Sequence, residues 1–241
     1  LKSLTIVIPA YNEQNRLPAT LRTVLAYLDG QKMESAEVVV VNDGSRDGTA
    51  QVALDAAKAD PRVRLVENPG NRGKGYAVRH GLQEAKGDWV LFTDADLSAP
   101  IDELGKLASA VESQDADGAI GSRALDRSLI GVHQPPFREM SGRFFNLVMR
   151  MITGLPYRDT QCGFKLLSAK AAALLASKQQ IEGFGFDVEL LYIAKKHKLR
   201  ILEVPVRWNN VEGTKVSLVN GLAAFLDPIE VRRNDWRGLY K

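Results

Sequence analysis

The chain has 241 residues, 45% of them hydrophobic and 25% charged, with 32 lysines and arginines against 29 aspartates and glutamates. It is long enough to bury a core of its own and too apolar for disorder. Its charge is too mild for binding to nucleic acid by bulk attraction, so no nucleic-acid partner is expected. The single cysteine, Cys162, excludes an internal disulfide and a multi-cysteine zinc site.

Residues 4–8 form a β-branched run closed by Pro9, which reads as a strand and not as a secretory leader. Leu17, Leu21, Val24, Leu25 and Leu28 give residues 16–28 a helical period. Strands are expected at 37–41, 63–66, 89–93 and 119–121, with helices between them at 49–59, 75–85 and 102–112; Asp47 is the expected cap of the first of these helices. Continuous apolar strands separated by amphipathic helices predict a mostly parallel α/β sheet covered on both faces, with its ligand beyond the strands' C-terminal ends.

Beyond residue 127 the pattern changes. Residues 138–152 read as a helix that is apolar nearly all round. A strand is expected near 164–167, helices at 169–176 and 187–197, and a strand at 201–208 that Pro205 confines to a sheet edge. Residues 217–233 place Leu218, Leu222, Phe225 and Ile229 on one helical stripe, interrupted by Pro228. No stretch approaches the roughly 18 apolar residues of a membrane span.

Polar residues gather where the strands end. Asp94-Ala95-Asp96 follows a fully apolar strand, so its two carboxylates share one face of an extended segment. Such a pair repels itself unless a cation intervenes, and a hard divalent cation bridging to phosphate oxygens suits it; a solvated loop is the plainer alternative. Asn42-Asp43-Gly44-Ser45 offers a carboxylate for a base or ribose and a glycine for close backbone approach, though a turn with a cap explains much of it. Residues 68–75 open a helix with glycines, Arg72 and Lys74, which suits a phosphate or a nucleotide, or a bare turn. The glycine spacing is not that of a Walker loop.

Taken together, Ile8-Pro9-Ala10-Tyr11-Asn12-Glu13, Asn42-Asp43-Gly44-Ser45, Asn71-Arg72-Gly73-Lys74-Gly75 and Asp94-Ala95-Asp96-Leu97 resemble the family 2 glycosyltransferases of the GT-A fold, in order and in spacing. Gly121-Ser122-Arg123, residues 159–165 and residues 186–189 are similar to the polyprenyl-phosphate branch. Residues 204–208 and 212–216 are closer still to dolichyl-phosphate glucosyltransferases.

The resemblance implies a metal-dependent, inverting transfer of a hexose, glucose above all, from a nucleotide-sugar such as UDP-glucose to a polyprenyl phosphate. It implies that Pro9, Tyr11, Glu13, Asp43, Gly44, Lys74 and Gly75 line the nucleotide-sugar site with Asp94, Ala95 and Asp96. Asp94 and Asp96 would engage Mg²⁺ or Mn²⁺ and the diphosphate. Arg123, Arg138 and Lys165 would hold the acceptor phosphate, and Asp159 would sit at the reacting centre. Mannosyl relatives carry a glutamine ligand where this chain has Ser98, so a hydroxyl or a water takes its place. Asp187 and Glu189, in the first turn of a helix, are read as complements to its dipole.

Three other readings stay open: mannosyl transfer from GDP-mannose, transfer to a soluble or polysaccharide acceptor with a true base, and nucleotide-sugar binding without turnover. Residues 1–213 are expected to form the GT-A domain and 214–241 an amphipathic tail. The apolar helices at 144–152 and 218–229 would lie in the headgroup region on the cytoplasmic face of a membrane, or bury against each other or across a homo-oligomer interface.

Overall fold

The structure is a computed structural model that describes residues 1–132, 136–211 and 226–241; for residues 136–139, 141, 143 and 145 it describes the backbone alone. Strands β1 (Ser3–Ala10), β2 (Ser35–Asn42), β3 (Val63–Glu67) and β4 (Trp89–Thr93) alternate with helices α1 (Leu17–Asp29), α2 (Thr49–Ala59) and α3 (Lys74–Glu84). Next come α4 (Leu104–Gln114), β5 (Gly118–Ser122), β6 (Ile130–Val132) and α5 (Pro136–Thr153). They are followed by β7 (Phe164–Ser168), α6 (Ala169–Lys178), α7 (Phe186–Lys196), β8 (Ile201–Pro205), β9 (Trp208–Asn209) and α8 (Asp227–Trp236).

Among the described residues, seven strands form one sheet in the order β3-β2-β1-β4-β7-β5-β8, and β6 pairs with β9. All neighbours in the large sheet are parallel except β7, which runs antiparallel to both β4 and β5. β8 is the edge strand that Pro205 requires.

The strands are apolar on both faces because both faces are covered. Leu4, Ile6 and Ile8 of β1 pack with Val38 and Val40 under α1 and α4, through Leu17, Leu21, Leu104 and Leu107. The alternate residues Val7, Val39 and Val41 face α3, α6 and α7, through Ala77, Leu82, Leu175 and Val188. β1 lies between β2 and β4, the point where the strand order reverses. A doubly wound sheet opens its crevice there, at the C-terminal ends of the strands.

Most of the expected C-terminal stripe is not described. Leu218, Leu222, Phe225 and residues 212–216 lie outside the described residues. Pro228 occupies the first turn of α8, where its missing N–H costs nothing. Val231 and Tyr240 are fully buried in the same core as α7, so the described part of the expected tail is packed into the main unit.

Candidate active site

Three loops meet at the reversal point. The β1–α1 and β2–α2 loops are stitched together through side chains. Asn12 and Glu13 donate their backbone N–H groups to Ser45 Oγ (2.9 Å) and Thr49 Oγ1 (2.7 Å), and Arg46 N–H donates to Asn12 Oδ1 (2.8 Å). The N-cap residue of α2 is Gly48 and not the expected Asp47, which stands one residue earlier and accepts from Thr49 N–H (3.0 Å). Glu13 also pairs with Arg16 at 3.2 Å, and its carbonyl starts α1. Pro9, next to last in β1, lies opposite Val41, and Tyr11 follows the strand, partly exposed.

Asp43 is buried and turned into the third loop. Its Oδ1 accepts from Asn68 Nδ2 (2.7 Å) and Arg72 N–H (3.0 Å), and its Oδ2 from Gly73 N–H (2.8 Å). Gly44 has φ +67°, and a Cβ there would overlap the backbone of Gly70 and Asn71. Its close approach is therefore to the protein's own loop. Gly73, at φ +107°, and Gly75 press against residues 181–183, where a Cβ on either would lie 2.5 Å from a carbonyl oxygen.

This packing aims Lys74, the first residue of α3, at the carboxylate pair. Its Nζ lies 2.6 Å from Asp94 Oδ1 and 5.9 Å from the Phe186 ring. Burial pulls the Lys74 ammonium down, but Asp94, Asp187 and Asp96 around it outweigh that and raise it above the usual lysine range. Asp94 to Leu97 form a turn held by Leu97 N–H to Asp94 O (3.1 Å); the Thr20 hydroxyl donates to Ala95 O (2.5 Å) and ties the buried Ala95 to α1. Asp96 Oδ1 accepts from Ser98 N–H (2.9 Å). A cleft of about 930 Å³ opens beside Asp96 and is lined by Glu13, Arg16, Tyr27 and Asp102 among others; Lys74 and Asp43 do not line it.

Two carboxylates on one turn fit a hard divalent cation, and Asp94 already accepts a cationic partner in Lys74. Gly163 backs this carboxylate so closely that any Cβ would overlap it, so the site is shaped to keep Asp94 where it is. No cluster of three or more His, Cys, Asp or Glu able to hold a metal occurs among the described residues. The remaining ligands of such an ion would be water and phosphate oxygens.

On the far side of Cys162 stands a second charged group. Asp159 is 1% exposed and accepts from Arg123 Nε (2.6 Å), Nη2 (2.8 Å) and backbone N–H (3.0 Å). Burial raises the Asp159 carboxyl, but Arg123 and Lys165 overcome this and hold it below the usual aspartate value. The Arg123 guanidinium lies 5.3 Å from the Trp208 ring. Burial pushes the Cys162 thiol up to about 12, which removes it as a nucleophile.

Lys165, which the resemblance places at the acceptor phosphate, is turned into the core. It is buried, with Nζ 2.5 Å from Asp187 Oδ1 and 2.7 Å from Cys162 O, because β7 is a central strand and Lys165 points to a covered face. Asp187 is likewise more than a complement to the helix dipole: it is the buried partner of Lys165, and desolvation raises its carboxyl despite Lys165 and Lys74. Both acids sit in a nine-residue buried run of α7, a signal that amphipathic spacing alone misses. The Arg138 side chain lies outside the described residues.

The Glycosyl transferase family 2 model matches residues 5–172. The chain is 40% identical over 226 residues to the dolichyl-phosphate beta-glucosyltransferase of Drosophila melanogaster, an alignment covering 89% of this chain and 69% of that protein. The human dolichyl-phosphate beta-glucosyltransferase is 37% identical, covering 89% and 70%. The fold is that of glucosyl-3-phosphoglycerate synthase from Mycobacterium tuberculosis, solved with Mn²⁺, UDP and glucosyl-3-phosphoglycerate (TM-score 0.68, 20% identity, 96% of this chain and 78% of that one). Mannosyl-3-phosphoglycerate synthase from Rubrobacter xylanophilus is similar (TM-score 0.70, 17% identity, 98% and 75%).

Proposed function

This chain belongs to glycosyl transferase family 2, and from that premise we propose that it moves glucose from UDP-glucose to a polyprenyl phosphate of the dolichyl class, with inversion at the anomeric carbon. The observation that carries the reading is the 40% identity to a dolichyl-phosphate beta-glucosyltransferase across 89% of the chain. The donor's nucleoside lies among Pro9, Tyr11, Glu13 and the Asp43-braced loop, and its diphosphate faces Lys74, Asp94 and Asp96. Asp94 and Asp96 would hold a divalent cation, which when bound would neutralise the charge that grows on the departing diphosphate.

The acceptor monophosphate is anionic at neutral pH, its second pKa being about 6. One of its oxygens forms the new bond to C1, the bond from C1 to the β-phosphate oxygen breaks, and the electron pair leaves on UDP. No base has to remove a proton. What the acceptor needs is a cation to offset its repulsion from the diphosphate. Arg123 spends Nε and Nη2 on Asp159 and presents Nη1 to the phosphate, while Asp159 acts through it by fixing the guanidinium plane.

A lipid acceptor must be met at a membrane surface. Among the described residues no helix is long and apolar enough to cross one. α5 instead exposes Met140, Phe144, Leu147 and Met151 along one face, and α8 adds Leu226, Ile229 and Trp236 nearby. Peripheral attachment through these helices, on the cytoplasmic face, completes the reading.

The test is a matrix of UDP- and GDP-sugars against polyprenyl phosphate and a soluble acceptor, with Mg²⁺ or Mn²⁺ and with chelator. UDP-glucose with polyprenyl phosphate and metal is the expected productive combination, and Asp96→Ala should abolish it with the circular dichroism spectrum unchanged. Preference for GDP-mannose, for a soluble acceptor, or full turnover in excess chelator overturns the reading.

A further inference from the structure

Lys74 can meet the donor diphosphate only if the backbone of residues 72–76 holds its place, and that backbone is moulded on a turn at residues 179–183. Tyr76 N–H donates to Glu182 O (3.2 Å), and Gln179 Nε2 donates to Gly75 O (2.8 Å). The Glu182 carboxylate takes Arg72 Nη2 at 2.7 Å on one oxygen and 2.9 Å on the other. The Gly73 and Gly75 contacts with residues 181–183 leave no room for a side chain between the two segments.

The turn itself rests on a buried acid that the transfer reaction does not use. Glu189, fully buried in α7, accepts Gln180 N–H (3.0 Å) on Oε1 and Ile181 N–H (2.8 Å) on Oε2. A buried carboxylate is costly unless its oxygens are satisfied, and a third donor completes the set. That donor is the hydroxyl of Tyr240, 2.6 Å from Oε1. Burial raises the Glu189 carboxyl, and Tyr240, Ile181 and Gln180 pull it back. Tyr240 is itself wholly buried, packed on Tyr192 with ring centroids 6.1 Å apart, and its carbonyl meets His197 Nε2 at 2.9 Å.

We propose that Glu189 and Tyr240 are positioning residues for donor binding: the end of the chain, through one carboxylate, braces the turn that shapes the Lys74 loop. The proposal rests on the reading of that loop as part of the nucleotide-sugar site. It makes the described C-terminal segment a component of donor affinity.

Two conservative variants test it in the full chain. Tyr240→Phe keeps the ring and removes the hydroxyl; Glu189→Gln keeps the size and removes one acceptor. Each should raise the Kd for UDP, measured calorimetrically with Mn²⁺, on the order of five- to tenfold. The KM for nucleotide-sugar should rise in step, while the KM for polyprenyl phosphate stays put. Amide exchange should quicken at residues 73–77 and 180–182 and stay unchanged in α4. A lower melting temperature with unaltered UDP affinity and unaltered exchange at 73–77 would reduce the pair to a structural role and overturn the proposal. If the unmodified chain takes up no UDP, the donor reading fails by itself, and the exchange measurement still decides whether Tyr240 braces the loop.

Discussion

Asp159 and Arg123 show how much of the site depends on one charge pair. The carboxylate is buried, and three hydrogen bonds from one arginine hold its proton affinity below the usual value of 3.8. The stability this pair supplies is therefore fully present above about pH 4 and is lost as pH falls through the lower native value, because the unfolded carboxyl takes its proton first. Urea unfolding between pH 6 and 3 should show the unmodified chain losing stability more steeply below pH 4 than Asp159→Asn; parallel curves would contradict the pairing. At neutral pH Asp159→Asn should cost about 2–3 kcal/mol, since it strands the guanidinium against a buried neighbour. The same scale explains what the sequence disclosed. Asp94 and Asp96 were legible because an apolar run announces a buried strand and the first acids after it mark its end. Lys165 was not, because its role depends on β7 entering the sheet antiparallel between β4 and β5, a tertiary choice that leaves only a weak trace in the run Phe164-Lys165-Leu166-Leu167.

The strands and helices of the first half were legible almost throughout. The central strands β1, β2 and β4 carry long apolar runs, and the helices between them carry helical periods, so local pattern and tertiary outcome agree. The loops were legible as chemistry but not as contacts. Asp43 and Gly44 are expected at the nucleotide-sugar site; that both are also locked to residues 68–73 is a contact no local rule announces, since it pairs two loops 25 residues apart. Gly44→Ala tests this reading of the loop. The substitution places a Cβ into the Gly70 backbone at a positive φ, and two separate penalties follow: one for the left-handed conformation and one for the overlap. A loss of about 2 kcal/mol or more in chemical unfolding is expected, with weaker UDP binding as the 68–75 loop shifts. A loss under about 0.5 kcal/mol, typical of an indifferent surface site, would mean that the two loops are not locked together.

At the level of the whole molecule, only residues 226–241 of the expected membrane-facing tail are described, and they are partly docked. Periodicity alone cannot tell a helix that docks from one that floats, and in α8 Val231 turns inward while Ile229 stays 55% exposed. Among the described residues, α5 exposes Met140, Phe144, Leu147 and Met151 at helical spacing, each at least half exposed. Arg150 in the last turn of α5, and Arg232 and Arg233 in α8, are the cations that the proposed peripheral attachment would offer an anionic headgroup layer. Phe144→Glu combined with Leu147→Glu places two negative charges in that face without touching the sheet or the carboxylate turn. The double variant should stay in the aqueous fraction when floated with anionic liposomes that carry the unmodified chain upward. Its turnover on a short, water-soluble polyprenyl phosphate should match the unmodified chain, while turnover on long-chain acceptor in vesicles should fall about tenfold or more, as expected from losing the burial of two large side chains. If flotation is unchanged while the oligomeric state shifts, the α5 face serves a second copy of the chain, and the acceptor must be reached from another side of the molecule.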